Sequence, residues 1–428
     1  MSPRSEYWIY RWIDEYEIQD RKDVARLFNF PGSVARLAEL AREAQTHWQD
    51  SADPPAASVL AGAGIDLAGS LTCSDYECQK KAIDSAYGRI WHYFDHIVVE
   101  GYNPKLFLQR LAALPKRRHA ELVYDIGNDV QTLLYLRSIG AEKYLVFRSK
   151  PYAFCNHHFT VHAEEFGLDV FLDEDSIGAV VSRLANEAEI TSDWHKGVWR
   201  YWIEHPFFAE PASGSIVRAK KKKPTSEEFV ARTFVEYSTA LVADVACANN
   251  LGVPLARAVT ASWMKPSASV GGSSDGEVAL HLNLPFLDGL AAGDIIKLRE
   301  DEQAHFLAFR SALTAAIKEQ VEKVDSASPQ EVAQSVTRQY IEPALANIER
   351  RLKANNHVLA GKAGTSMAIS LAGASVGLIG SMPLIVAAGV AALGTALPHM
   401  HKYLEEKRDV QLADMYFLWK LKNLKGSH

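Results

Sequence analysis

Two aspartates close together in the sequence are the first residues whose type and spacing indicate chemistry. Asp125 and Asp129 follow the apolar run Leu122–Tyr124, which has the composition of a short strand. Carboxylate oxygens gathered at a strand end are ligands that Mg²⁺ prefers, so the pair predicts a metal-assisted site. The same residue type also caps helices, because its side chain accepts hydrogen bonds from the first free backbone N–H groups. The sequence leaves both interpretations open.

Two histidines form a second candidate site. His158 and His162 are separated by one helical turn, and Cys155 precedes them in a segment with helical spacing. On a helix both imidazoles would share a face and reach one metal ion, with Glu165 or Asp173 as a further ligand. The alternative is a pair of structural or helix-surface histidines. The sequence predicts no cofactor, and a divalent metal ion is the alternative that these two candidate sites leave open.

These candidates lie in a stretch where short apolar runs alternate with helical segments. This alternation predicts a largely parallel sheet with helices covering its faces, and ligands of such sheets sit beyond the carboxyl ends of the strands. The predicted strands are 95–100, 121–125, 143–147 and 169–172, and the predicted helices are 105–114, 129–138 and 155–166. Residues 1–215 are therefore predicted to form an α/β sensing or binding domain.

Two helix-start signals follow in the second half of the chain. Thr225 with Glu228, and Ser328 with Glu331, have the spacing of the capping box, in which side chain and backbone satisfy each other's hydrogen bonds. The sequence predicts a helix from each point. Three further ranges are predicted from composition: a long helix over 291–324, a short strand over 278–284, and a turn or packed helix over 58–70.

An uncharged segment near the carboxy end dominates the second half. No charged residue lies between Ala363 and Leu397. Pro383 divides the segment into two parts that are each about 22–24 Å long as helices. Glycines at helical spacing let helix backbones approach closely, and aromatic residues favour interfaces. The predicted membrane or interface residues are Gly373, Gly377, Gly380, Pro383, Gly389 and Trp419.

Basic residues flank the segment on both sides, with Arg350, Arg351 and Lys362 before it and Lys402 and Lys407 after it. Basic flanks stay on the cytoplasmic side of a membrane, so both ends would remain together. A helical hairpin over 363–398 fits this pattern better than a single crossing. Three alternatives remain: a hairpin buried in its own fold or in an oligomer, a hairpin that inserts into a membrane, and a single-span anchor.

A second basic feature separates the two halves. The run Lys220–Lys223 lies in a predicted linker, 216–224, which joins the α/β domain to a helical domain over 225–428. Such a run is solvated or contacts a polyanion. The aromatic residues of 194–208 are expected to dock a connector onto the sheet, because aromatic clusters are usually core.

Composition narrows the function classes. The chain of 428 residues carries a net charge of −6, which argues against a general nucleic-acid binder. Its four cysteines are too few and too scattered for a secreted disulfide scaffold. The first residues show no signal-peptide pattern. The predicted location is the cytoplasm, with contact at the surface of the inner membrane.

The carboxy-terminal half resembles a pattern in uncharacterised bacterial proteins. The residues that carry the resemblance are Leu284–Leu290, Ile295–Glu300, Phe306, Phe309 and Arg310, and the Gly-rich apolar stretch that ends in Tyr416–Lys420. The resemblance covers about residues 284–422 and implies no activity. Its two-part architecture, with a sensing half and a concealed apolar hairpin, is similar to that of a bacterial defence effector.

Two functions follow as hypotheses. In the first, the chain is a non-enzymatic effector that forms a homo-oligomer, contacts a protein partner or a membrane through its apolar hairpin, and senses a ligand through its α/β half. In the second, it is a metal-dependent hydrolase or nuclease that uses Asp125, Asp129, His158 and His162 at the edge of the sheet.

Overall fold

A computed structural model describes most of the chain outside the apolar segment. The described residues are 7–47, 54–62, 67, 76–113, 119–148, 156–165, 172–195, 197–205, 212–218, 222–256, 274–282, 284, 290–323, 328–350 and 415–424. The chain divides into two compact units, here called the α/β unit (residues 1–280 with 291–293) and the helical unit (281–290 with 294–428). The predicted linker 216–224 falls inside the α/β unit.

The α/β unit alternates helices with short strands. Its first part contains α1 (Trp8–Glu15), α2 (Arg21–Leu27), α3 (Pro31–His47), β1 (Ser58–Ala61), α4 (Tyr76–Trp91), β2 (His96–Val99), α5 (Pro104–Ala113), α6 (His119–Ser138) and β3 (Leu145–Phe147). Its second part contains α7 (Asn156–Glu165), α8 (Glu174–Glu187), β4 (Glu189–His195), β5 (Val198–Glu204), β6 (Ala212–Val217), α9 (Ser226–Leu251), β7 (Leu255–Ala256) and α10 (Ser274–Leu280).

Four of these strands form a parallel sheet in the order β3-β2-β1-β7. The predicted strands at 95–100 and 143–147 are confirmed as β2 and β3, although β3 begins only at Leu145 because Ala141–Tyr144 form a 3-10 helix. The turn or packed helix predicted over 58–70 is wrong at residues 58–61, which form β1, a strand of four buried residues. A short buried strand between two parallel neighbours shows no alternation of polar and apolar residues.

Three further strands form a separate antiparallel sheet in the order β4-β5-β6. The aromatic connector predicted over 194–208 is therefore wrong in part, since most of it is a hairpin. The predicted linker also contains part of β6. Trp199, Tyr201 and Ile203 alternate with exposed residues along β5 and point into the core. Helix α9 packs against both sheets, with Phe229 beside Tyr201 and Val242 in the same core as Leu60.

Two strand predictions are wrong because the residues are helical. Residues 121–125 lie in α6, where Leu122, Ile126 and Val130 are fully buried at helical spacing. Residues 278–284 were predicted as a strand, and α10 occupies 274–280. Of the predicted strand 169–172, only Leu172 lies in the described part.

The helical unit contains α11 (Ala292–Asp301), which begins at the unit boundary, α12 (Gln303–Lys323), α13 (Pro329–Val336) and a last helix, α14 (Tyr416–Leu424). The long helix predicted over 291–324 is present, with a break at Glu302. Both predicted capping boxes are confirmed, at Thr225 and at Ser328. After α13 the chain forms a π-helical turn, Thr337–Ile341, and continues as a helix over 342–350. Pro343 explains this turn, because it has no N–H to donate to the carbonyl four residues earlier.

Candidate functional site

The carboxyl edge of the parallel sheet carries two charged residues side by side. Strands β2 and β3 run parallel with Val99 opposite Phe147, so the next residues, Glu100 and Arg148, leave the sheet together. Glu100 is only 2% exposed. Open parallel sheets bind their ligands at this edge. Glu100 therefore marks the position of the candidate site.

The start of α1 is fixed to the same edge. The Tyr7 hydroxyl accepts a hydrogen bond of 2.8 Å from the Tyr102 backbone N–H, and the Trp8 indole N–H donates one of 3.1 Å to the Tyr102 carbonyl. The Tyr7 ring stacks on Phe147 with a centroid distance of 3.9 Å and an angle of 7°. These contacts place a buried phenol hydroxyl beside the residues that follow β2.

Gly101 makes this approach of Tyr7 possible. A Cβ at residue 101 would lie 2.5 Å from the Cε2 and Cζ atoms of the Tyr7 ring. We expect Gly101→Ala to lower the free energy of unfolding by about 2–3 kcal/mol, because an overpacked core must move a fully buried ring. Urea unfolding followed by far-UV circular dichroism measures the change.

The matched control for this substitution is Gly178→Ala in α8. A Cβ at Gly178 would have no heavy atom within 4 Å, so the change should raise the stability by up to about 1 kcal/mol. Equal stability of the Gly101→Ala and wild-type proteins would show that Tyr7 does not lie against residue 101.

Arg110 connects Tyr102 to the predicted aspartates. Helix α5 begins directly after Asn103, whose side chain accepts hydrogen bonds from the N–H groups of Lys105 at 2.9 Å and Leu106 at 3.2 Å. This cap sets the direction of α5. The Arg110 Nη1 group then donates to the Tyr102 hydroxyl at 2.5 Å and pairs with Asp125 Oδ2 at 2.7 Å.

Asp129 lies one turn further along α6 and completes the site. The residue is partly exposed, but its Oδ2 atom is buried and accepts no hydrogen bond from any described residue. Burial, and then the negative charge of Asp125, raise the pKa of Asp129 to about 8, while Arg110 lowers it. Tyr7, Glu100, Tyr102, Arg110, Asp125 and Asp129 together are called the edge cluster.

The pKa values of the two phenols in the edge cluster, Tyr7 and Tyr102, are shifted by burial and by the neighbouring charges. Burial and the Asp129 carboxylate raise the pKa of Tyr7 well above its ordinary value, and the Tyr102 N–H opposes this rise. Burial raises the pKa of Tyr102 to about 12, although the Arg110 charge opposes the rise. At neutral pH the cluster thus holds two neutral phenols, a protonated Asp129 and an Arg110–Asp125 ion pair.

This arrangement can bind a polar molecule and move a proton. A carboxyl group whose pKa is close to the working pH can donate a proton and take it back. Asp129 has that pKa, and Asp125 is held by Arg110 as a neighbouring carboxylate with a different environment. Two carboxyl groups with different environments are a common basis for acid and base roles.

The predicted metal ligands are only partly brought together. Asp125 and Asp129 lie near the carboxyl edge as expected, but helix α6 positions them and not a strand end. His162 lies on α7, where its Nδ1 atom is 3.3 Å from Glu165 Oε2. The side chain of His158 is outside the described residues. Within the described ranges no group of three His, Cys, Asp or Glu side chains is arranged to hold a metal ion.

The remaining predicted contact residues fall mainly outside the described part. Trp419 is half-buried on α14 and stacks on Tyr416 at 5.7 Å. Lys222 and Lys223 are exposed. The residues outside the description are Gly373, Gly377, Gly380, Pro383, Gly389, Lys220 and Lys221. Of the helices in the described part of the chain, none combines the length and apolar composition that a membrane span needs.

Sequence reasoning missed four members of the edge cluster: Tyr7, Glu100, Tyr102 and Arg110. One signal was present, because Glu100 and Tyr102 directly follow a strand that the sequence predicts correctly. Polar residues at that position are candidates in any parallel sheet. Tyr7 and Arg110 had no such signal, since only the folded chain brings them to this edge.

Comparison with known proteins adds no family to this geometry. No protein-family model, curated protein or solved structure matches the chain. The function of the edge cluster therefore has to follow from its own residues and their geometry.

Proposed function

We propose that this chain is a non-enzymatic interaction protein with a ligand-binding unit and a self-associating or membrane-docking unit. The α/β unit binds a small polar molecule at the edge cluster. The helical unit uses the apolar segment, 363–397, as a helical hairpin that contacts a second copy or a bilayer. The observation that carries the proposal is the packing of the described residues on the two sides of this segment.

The described residues on the two sides of the segment both pack on α12. On the carboxy side, the Phe417 ring lies against Phe306 at 5.2 Å and Phe309 at 5.7 Å, so α14 is packed on α12. Lys420 of α14 also forms an ion pair with Glu302, the residue directly before α12. These contacts fix the chain directly after residue 414.

On the amino side, the helix that follows α13 is described up to residue 350. Ser335 donates a 2.8 Å hydrogen bond to Gln320, and Gln339 accepts one of 3.2 Å from Gln320, so this helical region is also held on α12. Glu349 then pairs with Lys422 at 2.7 Å. Residues 350 and 415, the described residues nearest to the segment on its two sides, therefore belong to one packed group of helices.

The packing of residues 328–350 and 415–424 into one group of helices favours a hairpin over a single crossing. A single membrane helix separates its ends by about 30 Å, whereas a hairpin returns its end to the starting side. The segment is uncharged and rich in glycine, and each glycine inside a water-exposed helix costs about 1 kcal/mol relative to alanine. Close packing of two small-residue helices in a dry environment offsets that cost.

Leucine substitutions at the predicted helix contact test the proposal. Gly377→Leu/Gly380→Leu should prevent close packing and reduce both self-association in sedimentation velocity and flotation with anionic lipid vesicles. Gly178→Leu, at an exposed helical glycine with open space around it, is the control and should behave as the wild type. A wild-type protein that neither self-associates nor floats, or a double variant that does both as well as the wild type, would contradict the proposal.

A metal-dependent hydrolase or nuclease is the second candidate function. One observation favours it: Asp129 Oδ2 is buried and unpaired in the described part, one helical turn from Asp125. A metal ion that displaced the proton of Asp129 would meet two carboxylates, which are the oxygen ligands that Mg²⁺ and Mn²⁺ prefer.

Calorimetric titration of the chelator-treated protein separates the two candidates. The hydrolase predicts stoichiometric Mn²⁺ binding that Asp129→Asn weakens, together with metal-dependent cleavage of a phosphodiester. The binding protein predicts no stoichiometric Mn²⁺ and no cleavage. Metal binding with cleavage would replace the first function by the second.

A further inference from the structure

The antiparallel sheet has one buried and one open face. Along β5, Tyr201 and Ile203 are fully buried, whereas Arg200, Trp202 and Glu204 point outward and are exposed. Trp202 is 39% exposed, which is unusual for an indole on a regular strand. An exposed aromatic ring on a rigid strand is a frequent feature of interaction surfaces.

Two glutamates of the same charge lie opposite each other beside Trp202. Glu189 is the cross-strand partner of Glu204, and both side chains are exposed. Like charges in this position repel and destabilise a sheet. Neither has an ion-pair partner among the described residues, although Asp193 nearby is paired with Arg200 at 3.0 Å. A cation is therefore the group that this pair of carboxylates would attract.

Trp202 supplies the second half of a cation site. Its ring lies between Arg200 and Glu204 along β5, with Thr191 and Ser213 as its cross-strand neighbours. The Arg200 guanidinium carbon is 6.0 Å from the ring centroid, so one cation already lies near this indole. Indole rings attract ammonium and guanidinium groups electrostatically. Glu189, Trp202 and Glu204 are here called the acidic face.

The chain carries a matching basic segment at the other end of the same sheet. Strand β6 runs antiparallel to β5 and ends with Val217 opposite Val198, six residues from Glu204 along the strand. That separation is about 20 Å. Arg218 and the run Lys220–Lys223 follow, and Lys222 and Lys223 are exposed.

The described residues on the two sides of the basic run are held at the start of α9. Glu228 in α9 pairs with Arg218 before the run, and accepts a 2.8 Å hydrogen bond from the Thr225 N–H after it. Both ends of the run are thus fixed near the start of α9. The run of a second copy can reach the acidic face, because a separate molecule approaches that face as a whole.

We propose that the acidic face binds the Lys220–Lys223 run of a second copy. Lysine ammonium groups would lie over Trp202 and between the carboxylates of Glu189 and Glu204. Because the two contact surfaces of each chain are different, this contact is head-to-tail and leaves one free surface at each end of a pair. It is independent of the apolar segment and of the edge cluster.

Charge reversal tests the contact with the full-length protein. The acidic-face variant is Glu189→Lys/Glu204→Lys, and the basic-run variant replaces the four lysines of 220–223 with glutamate. Each variant carries one of two affinity tags, and co-purification is measured at about 0.05 M and about 0.5 M salt, since screening weakens exposed ion pairs. Glu164→Lys/Glu174→Lys, on exposed positions of α7 and α8, is the control with the same change of charge.

The proposal predicts a specific pattern. Wild-type copies and control copies associate at low salt and at least about tenfold more weakly at high salt. Copies of either charge-reversed variant do not capture each other at low salt, but the two variants capture one another when mixed. Trp202→Ala weakens the capture of wild-type copies without changing the circular dichroism spectrum.

Two results would overturn this proposal. One is capture between all pairs regardless of charge and salt, which is the pattern expected of an apolar contact alone. The other is a mixture of the two charge-reversed variants that does not associate. Failure of this contact leaves the test of the apolar segment unaffected, because the glycine variants keep both charged surfaces.

Discussion

At pH 9 the Asp129→Asn protein should be more stable than the wild type by about 5 kcal/mol. Folding raises the pKa of Asp129 from 3.8 to about 8, because the carboxyl group is buried beside the charge of Asp125. Between these two pH values the folded chain keeps a proton that the unfolded chain releases. The free energy of unfolding therefore falls by about 1.4 kcal/mol for each pH unit across this window.

The sign of this effect distinguishes it from ordinary acid denaturation. The contribution of Asp129 is fully favourable below pH 3.8 and is lost as the pH rises through about 8. An asparagine cannot ionise, so the variant should keep its stability at alkaline pH. Urea unfolding at pH 5, 7 and 9 in the presence of a chelator should show a difference between the two proteins that widens with pH.

Asp175→Asn is the matched control, because Asp175 lies on the exposed first turn of α8. Its stability relative to the wild type should not depend on pH in this range. A constant difference between Asp129→Asn and the wild type from pH 5 to pH 9 would show that the Asp129 carboxyl is solvated and does not belong to a buried cluster.

The second large effect is expected in the helical unit. Phe417→Ala should lower the free energy of unfolding of this unit by about 3–5 kcal/mol. Phe417 is fully buried against Phe306 and Phe309, so the substitution leaves a cavity at the contact between α14 and α12. The expected consequence is that α14 detaches and releases the carboxy flank of the apolar segment.

Hydrogen exchange of the full-length protein measures this detachment, since the amides of α14 should lose protection before those of α12. Lys422→Ala is the control. It removes only the exposed pair with Glu349, which contributes at most about 1 kcal/mol. Unchanged protection of α14 in the Phe417→Ala protein would mean that the last helix is not held by this contact.

The sequence predicted best where the determinants of structure are local. The two helices that start after Thr225 and Ser328 follow from residues three positions apart, and both capping boxes form. The strands at 95–100 and 143–147 are flanked by clear helical segments, so the parallel sheet could also be predicted. Local signals of this kind need no information about distant contacts.

Errors arose where a short apolar run fits two structures. Leu122 to Tyr124 has the composition of a strand, but Leu122, Ile126 and Val130 form the buried stripe of α6. The prediction of a docked connector is wrong for β5, where Trp199, Tyr201 and Ile203 alternate with exposed residues as strand residues do. Tertiary contacts decide such cases, and the periodicity over a longer window is the better guide.

The candidate site could be predicted only in part for a related reason. Asp125 and Asp129 were identified from their type and spacing, and their assignment as metal ligands stays a prediction. The pKa of Asp129 is raised by burial and by Asp125 on α6 and is lowered by Arg110 on α5, while the two phenols precede α1 and follow β2. Contacts between residues 7, 100 and 129 exist only in the folded chain.

The most direct test of the central claim replaces residues 363–397 with a hydrophilic Gly/Ser linker of the same length in the full chain. This protein is compared with the wild type by sedimentation velocity and by vesicle flotation. The sedimentation is run at about 0.5 M salt, where exposed charged contacts are screened. The account predicts that both units still fold, while salt-resistant self-association and vesicle binding are lost. If the replaced protein still self-associates at high salt or still floats with vesicles, the apolar segment is not the contact surface of this protein.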